Sequence, residues 1–152
     1  MRHIHYDRKN AVEYAKQWAG NSNPAYPHIC GESGDSTNYA SQCVYAGSMG
    51  ISSPQWNYAT TAWSNPESLF DYLLLWDISG PRAAEVHFWA LEPGDIMQLR
   101  SNRGFWKTLV ITRNIAGKIW VSAHSYHSDE RLLESYNIIE SRCLHILDVL
   151  VE

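Results

Sequence analysis

A chain of 152 residues with 45% apolar content has the length and hydrophobic surface for one continuous core, so a single domain spanning residues 1–152 is expected. Its net charge of −4, with acidic and basic residues interspersed, offers no basic surface for nucleic acid. The longest apolar runs, such as Tyr72 to Trp76, fall far short of the ~20 residues that a membrane-spanning helix needs.

Seven Trp and nine Tyr are many for this length and predict aromatic faces, either lining a groove or packed in the core. The start, Met1 to Arg8, is polar and lacks the apolar centre of a secretory signal. Cys30, Cys43 and Cys143 are odd in number and lack metal-ligand spacing. Three free thiols are therefore expected, with no disulfide framework and no zinc site, a pattern suited to a reducing compartment.

In chain order, Asp7 to Trp18 places Ala11, Tyr14, Ala15 and Trp18 at helical spacing, with Asp7 as the cap. Asn21 to Gly34, with two X-Pro steps and two glycines, reads as a long ordered loop. From Gly34 the residues Tyr39, Ala40, Cys43, Val44 and Gly47 share one helical stripe, which puts Ser36 at the N-terminus of a helix. Gly47 to Asn65 reads as loop, and Pro66 opens a short buried helix over Glu67 to Trp76. Leu91-Glu-Pro-Gly-Asp95 is a turn into a strand at Ile96 to Leu99. Trp106 to Thr112 and Lys118 to Ala123 form a hairpin around Asn114-Ile-Ala-Gly117, and Arg142 to Val151 is the last strand. Helices followed by an antiparallel sheet of about five strands give an α+β fold.

A small nucleophile at the N-terminus of a buried helix benefits from the helix dipole and unspent backbone N–H groups. Ser36 occupies such a place, although Asp35-Ser-Thr-Asn38 ahead of an apolar stripe is also an ordinary capping sequence. His124, Ser125, Tyr126 and His127 with Asp129 read as a strand end and turn rather than a metal site. Nothing in the chain calls for a metal or a cofactor. Trp56, Tyr58, Trp63 and Trp89 suit either a cleft wall or the core, and Cys43 on the apolar stripe packs as a hydrophobe.

Several segments together resemble one family, the putative amidase domain related to the NlpC/P60 and CHAP branches of papain-like peptidases and amidases. They are Tyr6 to Ala15 with Trp18 and Asn23-Pro-Ala-Tyr26, Gly34-Asp-Ser-Thr-Asn-Tyr-Ala-Ser-Gln42, Leu91 to Ile96, and Ala123 to Tyr126 with Leu133 to Tyr136. The resemblance implies a papain-like fold with N-terminal helices on an antiparallel sheet, peptide or peptidoglycan amides as the ancestral substrate, and a cell-envelope or secreted setting. It also implies that Ser36 stands where the family has Cys, that Lys107 stands where it has a general-base His within Phe-His-His-Ser-Leu-Val, and that His124 is the orienting residue.

These departures govern the expected chemistry. A serine hydroxyl is a weak nucleophile without a base, and a lysine of ordinary pKa ~10.4 is protonated at neutral pH. The expected function is a degenerate, inactive member of this family that retains a groove for a peptide, a peptidoglycan fragment or a protein partner. Asp35, Asn38, Trp56, Trp63 and Trp106 are its candidate lining residues. Two alternatives stand beside it: an active hydrolase in which a desolvated Lys107 serves Ser36 together with His124, and a Cys-to-Ser variant of an active amidase.

Overall fold

The computed structural model describes residues 1–26, 32–101, 104–124, 130–136, 138 and 140–152. Strand β1 (Arg2–Ile4) precedes helices α1 (Arg8–Trp18), α2 (Glu32–Gly47), α3 (Thr61–Ser64) and α4 (Pro66–Leu73). Strands β2 (Gly80–Val86), β3 (Ile96–Ser101), β4 (Gly104–Ile115), β5 (Lys118–Ser122), β6 (Arg131–Leu132) and β7 (Glu140–Val151) complete the chain. Among the described residues no helix is long and apolar enough to cross a membrane.

The helices start where the local chemistry dictates. Asp7 accepts the Asn10 N–H at 3.0 Å and caps α1. Asn65 accepts the Ser68 N–H at 2.9 Å ahead of Pro66 and caps α4. The expected extension of α4 to Trp76 does not form. Leu74 leaves helical geometry, and the Trp76 indole N–H donates instead to the Ala83 carbonyl at 2.8 Å, a tertiary bond that outweighs one more helical turn.

The strands form a single antiparallel, seven-stranded sheet, wider than the expected five, giving a mixed α+β architecture. The strands absent from the sequence reading are β1, β2 and β6. Two of these lie on β7, which takes β2 along residues 143–150, β3 along 140–144 and β1 along 149–151. Side-chain alternation then divides two cores. Ile96, Val110, Leu144 and Ile146 face the helices and pack with Ala11, Ala15, Tyr39, Cys43, Trp56 and Leu69. Met97, Leu99, Leu109, Ile111, Ile119 and Val121 face the other way, where Leu91, Leu133 and Tyr136 cover them.

The turn before β3 is the anchor between these layers. The fully buried Asp95 carboxylate accepts from the Ile146 N–H and Arg8 on one oxygen, at 2.8 and 2.7 Å, and from the Glu92 N–H and His145 on the other, both at 2.8 Å. Gly94, at φ +89, lets the turn pass under Tyr6, whose hydroxyl donates to the Gly94 carbonyl at 2.7 Å. The hairpin between β4 and β5 turns on Ala116 and Gly117, both at positive φ (51° and 87°), as the sequence suggests.

Two stability measurements test this account. Removing the buried acceptor in Asp95→Ala strands two N–H groups, a guanidinium and an imidazole, and urea unfolding should show a loss of about 3–5 kcal/mol. Ala116→Asn places a residue suited to left-handed backbone in the hairpin and should raise stability by about 0.5–1 kcal/mol at unchanged denaturant slope.

Candidate active site

Ser36 does not open its helix. Helix α2 begins at Glu32, so Ser36 stands in the second turn and its backbone N–H already belongs to the helical ladder. The helix therefore reaches upstream into the stretch expected to be loop, and Asp35 near its start suits the positive end of the helix dipole. The helix-terminal amides that would favour a thiolate or an oxyanion therefore lie ahead of the nucleophile position.

The Ser36 side chain is fully buried. Beyond the Val110–Ser122 pair β5 no longer runs beside β4, and the Thr108 N–H donates to Ser36 Oγ at 3.2 Å. The next residue repeats the link, with Thr37 Oγ1 and Thr108 Oγ1 2.9 Å apart. Gln98 extends the seam, donating to Thr108 Oγ1 at 3.3 Å and to the Pro66 carbonyl at 2.9 Å, and accepting from Arg142 Nε at 2.7 Å. Arg142 lies between the rings of Phe70 and Phe105, 3.7 Å from each centroid, and desolvation lowers its pKa despite the nearby Glu67. Thr108, Gln98 and Arg142 were not singled out by sequence reasoning. Their only signal was polar residues at positions of strands otherwise rich in Leu, Val and Ile.

Lys107 is not brought to Ser36. In an antiparallel strand successive side chains leave opposite faces, and Thr108 points to α2. The cross-strand partner of Lys107 is Leu99, which belongs to the far core, and Lys107 Nζ lies 5.7 Å from the centroid of the Tyr136 ring on that same side. Lys107 is buried there, with only 5% of its surface exposed.

His124 follows β5 on the helix-facing side, its ring stacked on Tyr39 at 4.2 Å. Its Nε2 approaches the carbonyls of Trp18 and Asn21 at 2.7 and 3.2 Å, and its Nδ1 lies 3.3 Å from Asp35 Oδ2. Carbonyl oxygens only accept, so Nε2 carries a proton, while the carboxylate favours a second proton on Nδ1. Burial alone would lower the histidine's pKa, but the Asp35 carboxylate and the two carbonyls outweigh it and the net shift is upward. His124 thus joins the end of α1 to α2.

The expected lining residues are mostly structural. Asn38 is buried and its Oδ1 accepts from the Trp63 indole at 2.8 Å and from Gln42 at 3.1 Å. Trp56 is sealed in the core and donates to Ser41 Oγ at 3.3 Å, and Trp63 packs against it at 4.8 Å. Both suited either a cleft or the core; their indole N–H groups find partners on α2, which allows them to be buried whole. Asp35 is committed to His124. The Trp106 side chain, Cys30, His28, His127 and Asp129 lie outside the described residues. Among those described, no group of three or more His, Cys, Asp and Glu side chains is arranged to hold a metal.

The raised pKa of His124 fixes the sign of a pH effect. Its stabilising contribution is complete below the ordinary histidine value of ~6.5 and is lost as pH rises through the elevated folded-state value. His124→Gln should cost about 1–3 kcal/mol at pH 6. Chemical denaturation across pH 5–9 should show the gap between the two proteins narrowing toward alkaline pH.

Searches against curated proteins and against solved structures return no match to this chain. A family model does match, that of the putative amidase domain, and it covers residues 5–147, from β1's neighbour His5 through most of β7. The chain therefore belongs to the putative amidase domain family.

Proposed function

We propose that this chain is a catalytically silent, single-domain member of its amidase family, of papain-like type, in which the former catalytic centre serves as a polar packing seam. The observation that carries the reading is the placement of Ser36. Its hydroxyl is sealed from solvent between α2 and β4 and accepts the Thr108 N–H, so an amide carbonyl cannot approach without separating the two elements.

The surroundings support the same reading. Lys107 leaves β4 on the face opposite α2, and both ring nitrogens of His124 are turned toward acceptors. Neither group is positioned as a base for Ser36, and general-base catalysis requires hydrogen-bond reach of the proton to be removed. The papain-like relationship is supported by a helix bearing the nucleophile position that packs on the strand bearing the general-base position. A retained binding role, for a peptide, a peptidoglycan fragment or a protein partner, is the function left to such a domain; the burial of Trp56 and Trp63 argues against a groove running along α2 itself.

Incubation with acyl-amide and peptidoglycan substrates should give no turnover above that of Ser36→Ala. The double variant Ser36→Cys with Lys107→His should remain inactive as well, because the new imidazole would leave β4 on the far face. Serine-dependent turnover by the native chain would overturn the silent reading. Activity in the double variant would overturn the assignment of position 107 to the far face.

A further inference from the structure

We propose that a second site, separate from Ser36, binds a neutral saccharide ring in the tyrosine-walled pocket above Trp63. The pocket holds about 250 Å³ and is lined by Tyr26, Tyr45, Ser52, Asn57, Tyr58, Ala59 and Trp63. That volume is close to the lower end of the ~300–1,000 Å³ range of small-molecule sites, which suits a single ring rather than an extended chain.

The floor and walls are held rigid. Trp63 is fixed by its bond to Asn38 and lies buried beneath the pocket. Tyr26 stacks on it with centroids 5.8 Å apart and an interplanar angle of 17°, and Tyr45 meets it edge-on at 5.8 Å. Tyr58 meets Tyr26 edge-on at 5.7 Å and is 40% exposed. Its loop is pinned by Asn57, which donates to the Ser53 carbonyl at 3.0 Å and accepts the Ala59 N–H at 3.0 Å. Aromatic packing alone needs no open volume between the rings, yet about 250 Å³ is left between these.

The chemistry of the lining selects the ligand. No lining residue is charged, so neither an anion nor a cation is selected. Among the described residues the hydroxyls of Tyr26, Tyr45 and Tyr58 make no hydrogen bond, whereas the hydroxyls of Tyr6, Tyr14, Tyr39 and Tyr72 all do. Each phenol both donates and accepts. Aromatic faces next to free hydroxyls match a pyranose, which presents apolar C–H groups on its faces and hydroxyls around its rim. Burial raises the Tyr26 pKa, and the neighbouring Tyr45 adds to it, so the Tyr26 hydroxyl stays protonated and available as a donor across the neutral range.

Calorimetric titration of the intact chain with methyl β-glucopyranoside, N-acetylglucosamine and its β-1,4-linked dimer, alongside a proline-rich decapeptide, tests the assignment. At least one saccharide should bind in the millimolar range or tighter. Tyr58→Ala should weaken it about tenfold, and Tyr45→Phe, which removes one hydroxyl only, several-fold, both at nearly unchanged Tm. Absence of binding by every saccharide up to about 20 mM, or binding indifferent to both variants, would overturn the proposal. So would binding of the peptide alone with the same dependence on Tyr58. Because the readout is binding and not turnover, these outcomes are independent of whether Ser36 is silent.

Discussion

The buried carboxylate of Asp95 is the constraint on which the rest of the molecule is assembled. A charge with no solvent contact is tolerated only when its lone pairs are fully satisfied, and Asp95 meets this with two backbone N–H groups, a guanidinium and an imidazole. Those four partners come from α1, from the turn itself and from β7, so satisfying one side chain fixes three elements against each other. Tyr6 completes the junction, donating to Gly94 on one side and closing against Gly47 on the other, where a Cβ would stand 2.5 Å from its ring. The order β7-β3-β4 in the sheet and the seating of α1 on it follow from this knot.

At the opposite side of the same layer lies the polar seam that contains Ser36. Here the hydroxyl of Ser36 and the hydroxyl of Thr37 both engage Thr108, Gln98 joins them to α4, and Arg142 closes the chain between two phenylalanine rings. Such a fully connected network gains rigidity from the low dielectric around it. The same enclosure keeps the Ser36 hydroxyl from solvent. His124 lies against the same layer, where two carbonyls and the Asp35 carboxylate surround its ring nitrogens.

The abundance of aromatic residues resolves into two populations. Trp56, Trp63 and Tyr72 are packed ring against ring under α2 and α4, with every indole and phenol hydrogen bonded. Tyr26, Tyr45 and Tyr58 surround open volume. Trp89, 75% exposed on the short turn Phe88–Ala90, belongs to neither. Composition alone does not separate these populations, since a tyrosine in a core and one at a pocket have the same sequence signature.

What the sequence determined by itself was local: the Asp7 and Asn65–Pro66 helix starts, the apolar stripe of α2, the turn ending at Asp95 and the hairpin at Ala116-Gly117. Each is governed by caps, periodicity or turn residues acting within a few positions. Family membership was likewise legible, because its motifs lie along nearly the whole chain. Tertiary structure alone decided the rest. The strands β1 and β2 exist through pairing with β7, more than 50 residues away along the chain in each case, and three and seven residues carry too weak a local signal to announce it. Strand alternation already required Lys107 and Thr108 to face opposite ways, but which of them met α2 was set by the register of β4 against β3 and by the contact of Thr108 with Thr37. A strand's period specifies two faces without naming either one, and only packing against a neighbour distinguishes them.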